Sequence, residues 1–223
     1  MKKLFGHAMS FVKKCNLAQR VLLLLVVVAL IVGLVLVLRP DKQPATTQRQ
    51  VITYSTDTPD EEKPGKDFRW SGLPTDPKRI SLPTINAEGY IQNVGVDQKK
   101  AVAVPNNIHM AGWFVDTPLP GQQGANPSVL DGHVSGRKND GIFKDLAKLK
   151  KGDKFSVTFG DDSTKDFVVD DVVSLKTEES ASVLFSVKPG LGKQLNLITC
   201  GGNFDRVKQQ YDQRVIAIAK AVE

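Results

Sequence analysis

"LNLITCGGNFD", residues 195–205, alternates apolar and polar residues before ending on a cysteine and two glycines. Alternation puts Leu195, Leu197 and Thr199 on one face of a strand and Asn196, Ile198 and Cys200 on the other. Two roles for Cys200 are open: a small buried residue at a strand end, or a nucleophile on a rigid strand. Gly201 and Gly202 would leave room there for a substrate backbone. Fourteen residues after Cys200, RVIAIAK (214–220) repeats the same period, with Arg214 on the face of Ile216 and Ile218. Arg214 is either an edge arginine reaching to water or a fixed cation able to stabilise an oxyanion.

Outward from this pair, most of the chain after residue 76 has β character. Arg79 to Ile85 alternates and carries Pro83, which suits a strand end, and Gly89 to Val96 forms another short strand. KFSVTF (154–159) and DFVVDDVVSL (166–175) flank the polar segment GDDSTK, a hairpin signal. One helix is predicted over Ile142 to Leu149, where Ile142, Leu146 and Leu149 recur at helical spacing. Many short strands with one or two short helices predict a mainly β fold, a closed or nearly closed barrel. No internal repeat is present.

The first forty residues are of another kind. Val21 to Leu38 is an unbroken apolar run of 18 residues without a charge, long enough to span a bilayer as a helix. It is too long for a signal-peptide core and ends Leu-Val-Leu-Arg-Pro rather than in small residues. Lys2, Lys3, Lys13, Lys14 and Arg20 precede it with no acidic residue, which predicts a cytoplasmic N-terminus and an exported remainder. The expected organisation is therefore a basic cytoplasmic tail (1–20), a transmembrane signal-anchor helix (21–38), a Pro-, Thr- and Asp-rich stalk (39–75) and a folded domain (76–223).

Charge follows the same division. Six of the 30 Lys and Arg residues lie in the first forty, leaving 24 against the 24 Asp and Glu of the remainder. The formal charge of +6 thus belongs to the membrane flank, and nucleic acid is excluded as an expected partner. Cys15 falls on the cytoplasmic side, so Cys200 is an unpaired thiol in an exported domain, a sign of reactivity or intermolecular pairing.

A nucleophilic cysteine needs a base or cation nearby. His7 lies on the cytoplasmic side. His109, in PNNIHMAGWF, is expected to pack against Trp113 or Phe114. His133 stands in the glycine-rich LDGHVSGRKNDG, directly after apolar Val129-Leu130, where a loop on a rigid scaffold suits catalysis; a surface histidine without a role is the alternative. No acidic cluster is spaced like a metal site, Asp161-Asp162 and Asp170-Asp171 reading as solvated charges, and no metal or cofactor is expected.

Leu197-Ile-Thr-Cys200, followed by Arg214-Val-Ile-Ala-Ile-Ala, resembles the L-x-T-C signature and arginine strand of sortases, and Gly132-His133 resembles the family's histidine segment. Arg79-Ile-Ser-Leu-Pro and Ala103-Val-Pro…Gly112-Trp-Phe extend the resemblance in matching order over about residues 76–223. Gly201-Gly202-Asn-Phe-Asp is most similar to class F-type or actinobacterial-like sortases.

The resemblance implies a sortase β-barrel of about eight strands. Cys200 would be the nucleophile, His133 the proton-transfer partner and Arg214 the oxyanion- and substrate-orienting cation, with Thr199 lining the substrate site. It also implies a membrane-anchored cysteine transpeptidase that cleaves an LPXTG-like sorting signal between Thr and Gly. The partners implied are surface proteins bearing that signal and an amine acceptor, either a cell-wall precursor or a pilin lysine, with slow hydrolysis as a side reaction. Two other functions stay open: an envelope cysteine peptidase using the same Cys-His pair, and a non-catalytic anchored binding module with Cys200 inert.

Overall fold

The computed structural model describes residues 21–22, 24–31 and 49–222. Residues 21–22 and 24–31 are helical, with Leu22, Leu24, Leu25 and Leu30 exposed. The expected tail, the rest of the expected span (residues 23 and 32–38) and the start of the expected stalk lie outside the described residues. Among the described residues no helix is long and apolar enough to cross a membrane. Residues 1–46 and 47–223 form separate compact units, and the second contains the sheet.

Eight strands make up the described sheet: β1 (Pro77–Leu82), β2 (Ala87–Val94), β3 (Ala111–Phe114), β4 (Ser128–Gly132), β5 (Lys154–Phe159), β6 (Thr164–Lys176), β7 (Gln194–Asp205) and β8 (Gln210–Ala221). They close into one barrel in the order β1-β2-β3-β4-β7-β8-β6-β5, which leaves no unpaired edge. Neighbours run antiparallel except β2 with β3 and β4 with β7. The predicted barrel and hairpin are therefore observed, and β6 extends the expected strand at both ends.

The period-two pattern sorts side chains into two apolar clusters. The barrel interior is filled from all eight strands, including Ile80, Ile91, Trp113, Leu130, Phe155, Phe167, Leu195, Leu197 and Val215. Phe155 and Phe167 stack there at 5.2 Å. Residues of opposite parity, Val129 on β4 and Ile216 and Ile218 on β8, form a second cluster with Leu184 and Leu191, and Ile198 of β7 packs against it. This second cluster covers the outer face of the strands that carry Cys200 and Arg214.

The helices differ from expectation. In place of a helix over 142–149 there is one 3-10 turn, Leu146–Lys148. The apolar spacing is real, since Ile142, Phe143, Leu146 and Leu149 are all buried. However, the Ile142 N–H bonds the Ile108 carbonyl and the Phe143 N–H bonds the His133 carbonyl, which ties the segment's start to other loops instead of to a helical ladder. The α-helix forms instead at Thr177–Leu184, with Glu178 and Glu179 in its first turn, where carboxylates favour helix start.

The segment expected to be a solvated stalk packs from Arg49 onward. Arg49 pairs with the wholly buried Asp76 at 2.6 Å, and Asp76 also accepts from the Leu73 N–H at 3.0 Å and from Asn93 Nδ2 at 2.9 Å. Ile52 N–H donates to the Asn93 carbonyl. Trp70 Nε1 donates to the Ile91 carbonyl at 2.9 Å, and Phe68 lies on Tyr90 at 4.6 Å between ring centroids. Its aromatic and charged groups find partners on β2 and at the start of β1, which a polar composition conceals.

Candidate active site

Cys200 and Arg214 face each other directly across the β7–β8 ladder, where antiparallel register pairs Thr199 with Val215 and Cys200 with Arg214. Arg214 shares parity with Ile216 and Ile218, and Cys200 with Ile198, so both side chains belong to the outer face of the barrel. Just beyond, the register shifts between Gly201 and Phe204. Gly202 takes φ +76°, and a Cβ there would collide with the Asp212 carboxylate. The glycine is thus required by the backbone bend itself.

His133 arrives from the other side. β4 runs parallel to β7 with Asp131 beside Ile198, and continuing that register sets Gly132 beside Thr199 and His133 beside Cys200. Thr199 fixes the step, because its buried Oγ1 donates to the Gly132 carbonyl at 2.7 Å. Thr199 therefore acts from the inward face, tying β7 to the end of β4. Cys200, His133 and Arg214, three residues singled out in the sequence, are brought to neighbouring positions at one end of three adjacent strands.

Among the described residues the imidazole is oriented by a single bond, from Nε2 to the Pro105 carbonyl at 2.7 Å. A carbonyl only accepts, so Nε2 carries the proton and Nδ1 keeps its lone pair. Burial pushes the His133 pKa down, opposed by the bond to Pro105. Cys200 is a free, half-buried thiol whose pKa is pushed up by burial, opposed by the nearby Arg214 charge and reinforced by Asp131. The two directions agree on a resting thiol–imidazole pair rather than a thiolate–imidazolium pair. Among the described residues no hydrogen bond joins Cys200 Sγ to His133.

Arg214 is held by one end only. Nη1 donates to Thr177 Oγ1 at 3.1 Å, to the Tyr211 carbonyl at 3.2 Å and to the Gln213 carbonyl at 2.8 Å. Nε and Nη2 make no hydrogen bond among the described residues, leaving donors for an oxygen brought in from outside.

Sequence reasoning missed the supporting residues. Thr177 opens the helix that follows β6 and anchors Arg214. Tyr211 lends its carbonyl to Arg214 while its hydroxyl bonds Ser135 Oγ at 3.0 Å, touching both the arginine and the loop after His133. Asp131 lies buried on β4 with Oδ1 unpartnered. Its carboxyl occupies the space over Gly112, where a Cβ would collide with it, and burial pushes its pKa well above the ordinary carboxylate value. The acid inside an otherwise apolar VLDG strand was the legible signal for Asp131. Thr177 and Tyr211 carried none. His109 bonds the Glu61 carbonyl through Nε2 at 3.1 Å and lines a cavity of about 410 Å³ that does not include Cys200. No group of three or more His, Cys, Asp or Glu is placed to hold a metal ion among the described residues.

The model of the sortase domain matches residues 80–222. The chain belongs to the sortase family. Sortases are cysteine transpeptidases, so the chain is an enzyme of that type. Sortase C-1 from Actinomyces oris is 30% identical, with 66% of this chain and 75% of that chain covered and a TM-score of 0.48. A lid mutant of sortase A from Corynebacterium diphtheriae is 24% identical over 66% of this chain and 70% of that one, at TM-score 0.50. A pilus-related sortase C of Group B Streptococcus is 20% identical, covering 77% and 82%, also at 0.50. No curated protein matches the chain. The matched residues begin within β1, so Arg49 to Arg79, including the packed segment, precede them.

Proposed function

We propose that this sortase is a membrane-anchored transpeptidase in which Cys200 is the nucleophile, His133 the acid–base group and Arg214 the oxyanion-binding cation, acting on an LPXTG-like sorting signal. The observation that carries the proposal is the pairing of Cys200 with Arg214 across β7 and β8, with His133 directly following the parallel neighbour β4. Thr199 serves the site by fixing the strand ends beneath the substrate.

The chemistry follows from the protonation states. Because the thiol and imidazole rest neutral, His133 Nδ1 takes the Sγ proton as Cys200 attacks the Thr carbonyl. The S–C bond forms and the carbonyl oxygen gains charge, which the unpaired Nε and Nη2 donors of Arg214 are suited to bind. The imidazolium then gives its proton to the leaving Gly nitrogen as the C–N bond breaks. An incoming amine attacks the thioester, His133 accepts its proton, and as the C–S bond breaks the imidazolium returns that proton to Sγ, restoring the thiol. The acceptor is an amine from a cell-wall precursor or a pilin lysine.

For topology we propose the cytoplasmic tail 1–20, the anchor helix 21–38, a connecting segment from 39 to 75 and the catalytic domain 76–223 outside the membrane. The exposed apolar side chains of the described helical residues support this, since such a surface needs lipid or protein cover. The direct test incubates the protein with an LPXTG-type peptide and an added amine. Cleavage between Thr and Gly with joining of the amine is the expected result, lost in Cys200→Ala. Hydrolysis without transfer for every amine tried would favour a peptidase, and no cleavage at all would refute the proposal.

A further inference from the structure

Glu61, a half-buried residue, lies well before β1, yet its carboxylate gathers five hydrogen bonds from the loop after His133. Oε1 accepts from the N–H of Arg137 at 2.5 Å and of Lys138 at 3.3 Å. Oε2 accepts from the N–H of Lys138 at 3.0 Å and of Asn139 at 2.9 Å, and from Asn139 Nδ2 at 3.2 Å. Three successive backbone N–H groups converging on one anion form a nest. Desolvation works to raise the Glu61 pKa, but these bonds together hold it below the ordinary carboxylate value.

The nest is the tip of a hairpin whose root is His133. Gly136 N–H bonds the Asn139 carbonyl at 2.7 Å, Gly141 N–H the Val134 carbonyl at 3.0 Å, and Phe143 N–H the His133 carbonyl at 3.0 Å. Ser135 and Asp140 form a β-bridge between these rungs. A displacement at the tip is thus carried, rung by rung, to the backbone of His133.

Glu61 is itself fixed to the segment that holds the imidazole. Asp60 N–H bonds the Asn106 carbonyl at 2.8 Å, and Ile108 N–H bonds the Asp60 carbonyl at 2.9 Å. Asn107 Nδ2 donates to the Glu62 carbonyl at 2.8 Å, and His109 Nε2 bonds the Glu61 carbonyl. The neighbouring Pro105 carbonyl receives His133 Nε2. A ring of contacts therefore runs from His133 along its hairpin to Glu61, across to residues 106–109, and through Pro105 back to the imidazole.

We infer that Glu61 is a positioning residue for His133, its carboxylate pinning the hairpin that His133 opens, so that the segment preceding β1 completes the catalytic geometry. The inference rests on the acid–base role proposed for His133. Glu61 touches neither substrate nor Cys200. It sets where Nδ1 points, and a shift of about 1 Å in such a group costs up to roughly 10²-fold in rate.

The test is a double-mutant cycle in the full chain, in detergent, measuring acylation of Cys200 by an LPXTG-type peptide whose Thr–Gly amide is replaced by a thioester. That substrate is reactive enough to follow in the absence of His133. Glu61→Ala should slow acylation by roughly 10- to 10²-fold in kcat with KM unchanged, and Glu61→Gln should lie between, since one amide oxygen still accepts. In a His133→Ala background, Glu61→Ala should change the rate by less than about twofold, because the group it positions is gone. An equal loss in both backgrounds, a loss confined to KM, or no loss would overturn the inference. A wild-type chain inert toward both thioester and amide peptides would instead refute the acyl-transfer assignment on which it rests.

Discussion

The two faces of β7 carry opposite duties. Inward, Leu195 and Leu197 are fully buried in a core built from every strand, and Thr199 has its hydroxyl bonded to Gly132. Outward, Ile198 packs in the second cluster, while Cys200 is a half-buried thiol whose pKa is displaced by burial and by neighbouring charge. Adjacent residues on one backbone therefore differ in whether their polar groups are satisfied. The inner face makes the strand immovable, and the outer face uses that rigidity to hold groups that chemistry, not packing, will complete.

If the contrast is right, substitutions on the two faces separate activity from stability. Cys200→Ala should abolish peptide cleavage and transfer while leaving the melting temperature near that of the wild type; a peptide-transfer assay beside calorimetry checks both. His133→Ala and Arg214→Ala should each cost about 10²- to 10⁴-fold in kcat/KM, again without unfolding. Leu197→Ala should do the reverse, destabilising by about 2–5 kcal/mol as read by denaturant melts, with the folded fraction retaining its kcat/KM. A Leu197→Ala variant that is stable but inactive would break the comparison.

Asp131 gives the smallest and most discriminating effect. Its folded pKa lies well above the 3.8 of an ordinary aspartate. The folded state thus holds the proton more tightly than the unfolded chain, and its contribution is fully present only below about pH 3.8. That contribution is lost as pH rises toward the folded pKa. Asn carries no such titration. Asp131→Asn should therefore gain stability relative to wild type as pH rises above about 4, read by denaturant melts at a series of pH values. A difference constant with pH would show that the carboxyl does not titrate against burial.

Period two made most of the barrel legible, because strands such as KFSVTF and RVIAIAK show one face to the core and one outward. The same pattern placed Arg214 and Cys200 on their faces. Local periodicity could not show which strands adjoin, so the pairing of β4 with β7, distant in sequence, came only from closure of the sheet. The helix at Thr177–Leu184 was hidden because TEESASVL buries little besides Ser180 and Leu184. Glu61 was hidden because all but one of its donors are backbone N–H groups, which leave no trace in residue type.

The nucleophilic role of Cys200 is open to a direct measurement, mass spectrometry of the intact protein mixed with an LPXTG-type peptide. The expected result is a covalent adduct equal to the peptide through its Thr, located on Cys200, discharged by an added amine and absent from Cys200→Ala. An adduct that persists in Cys200→Ala, or a wild-type protein that forms none, would contradict it.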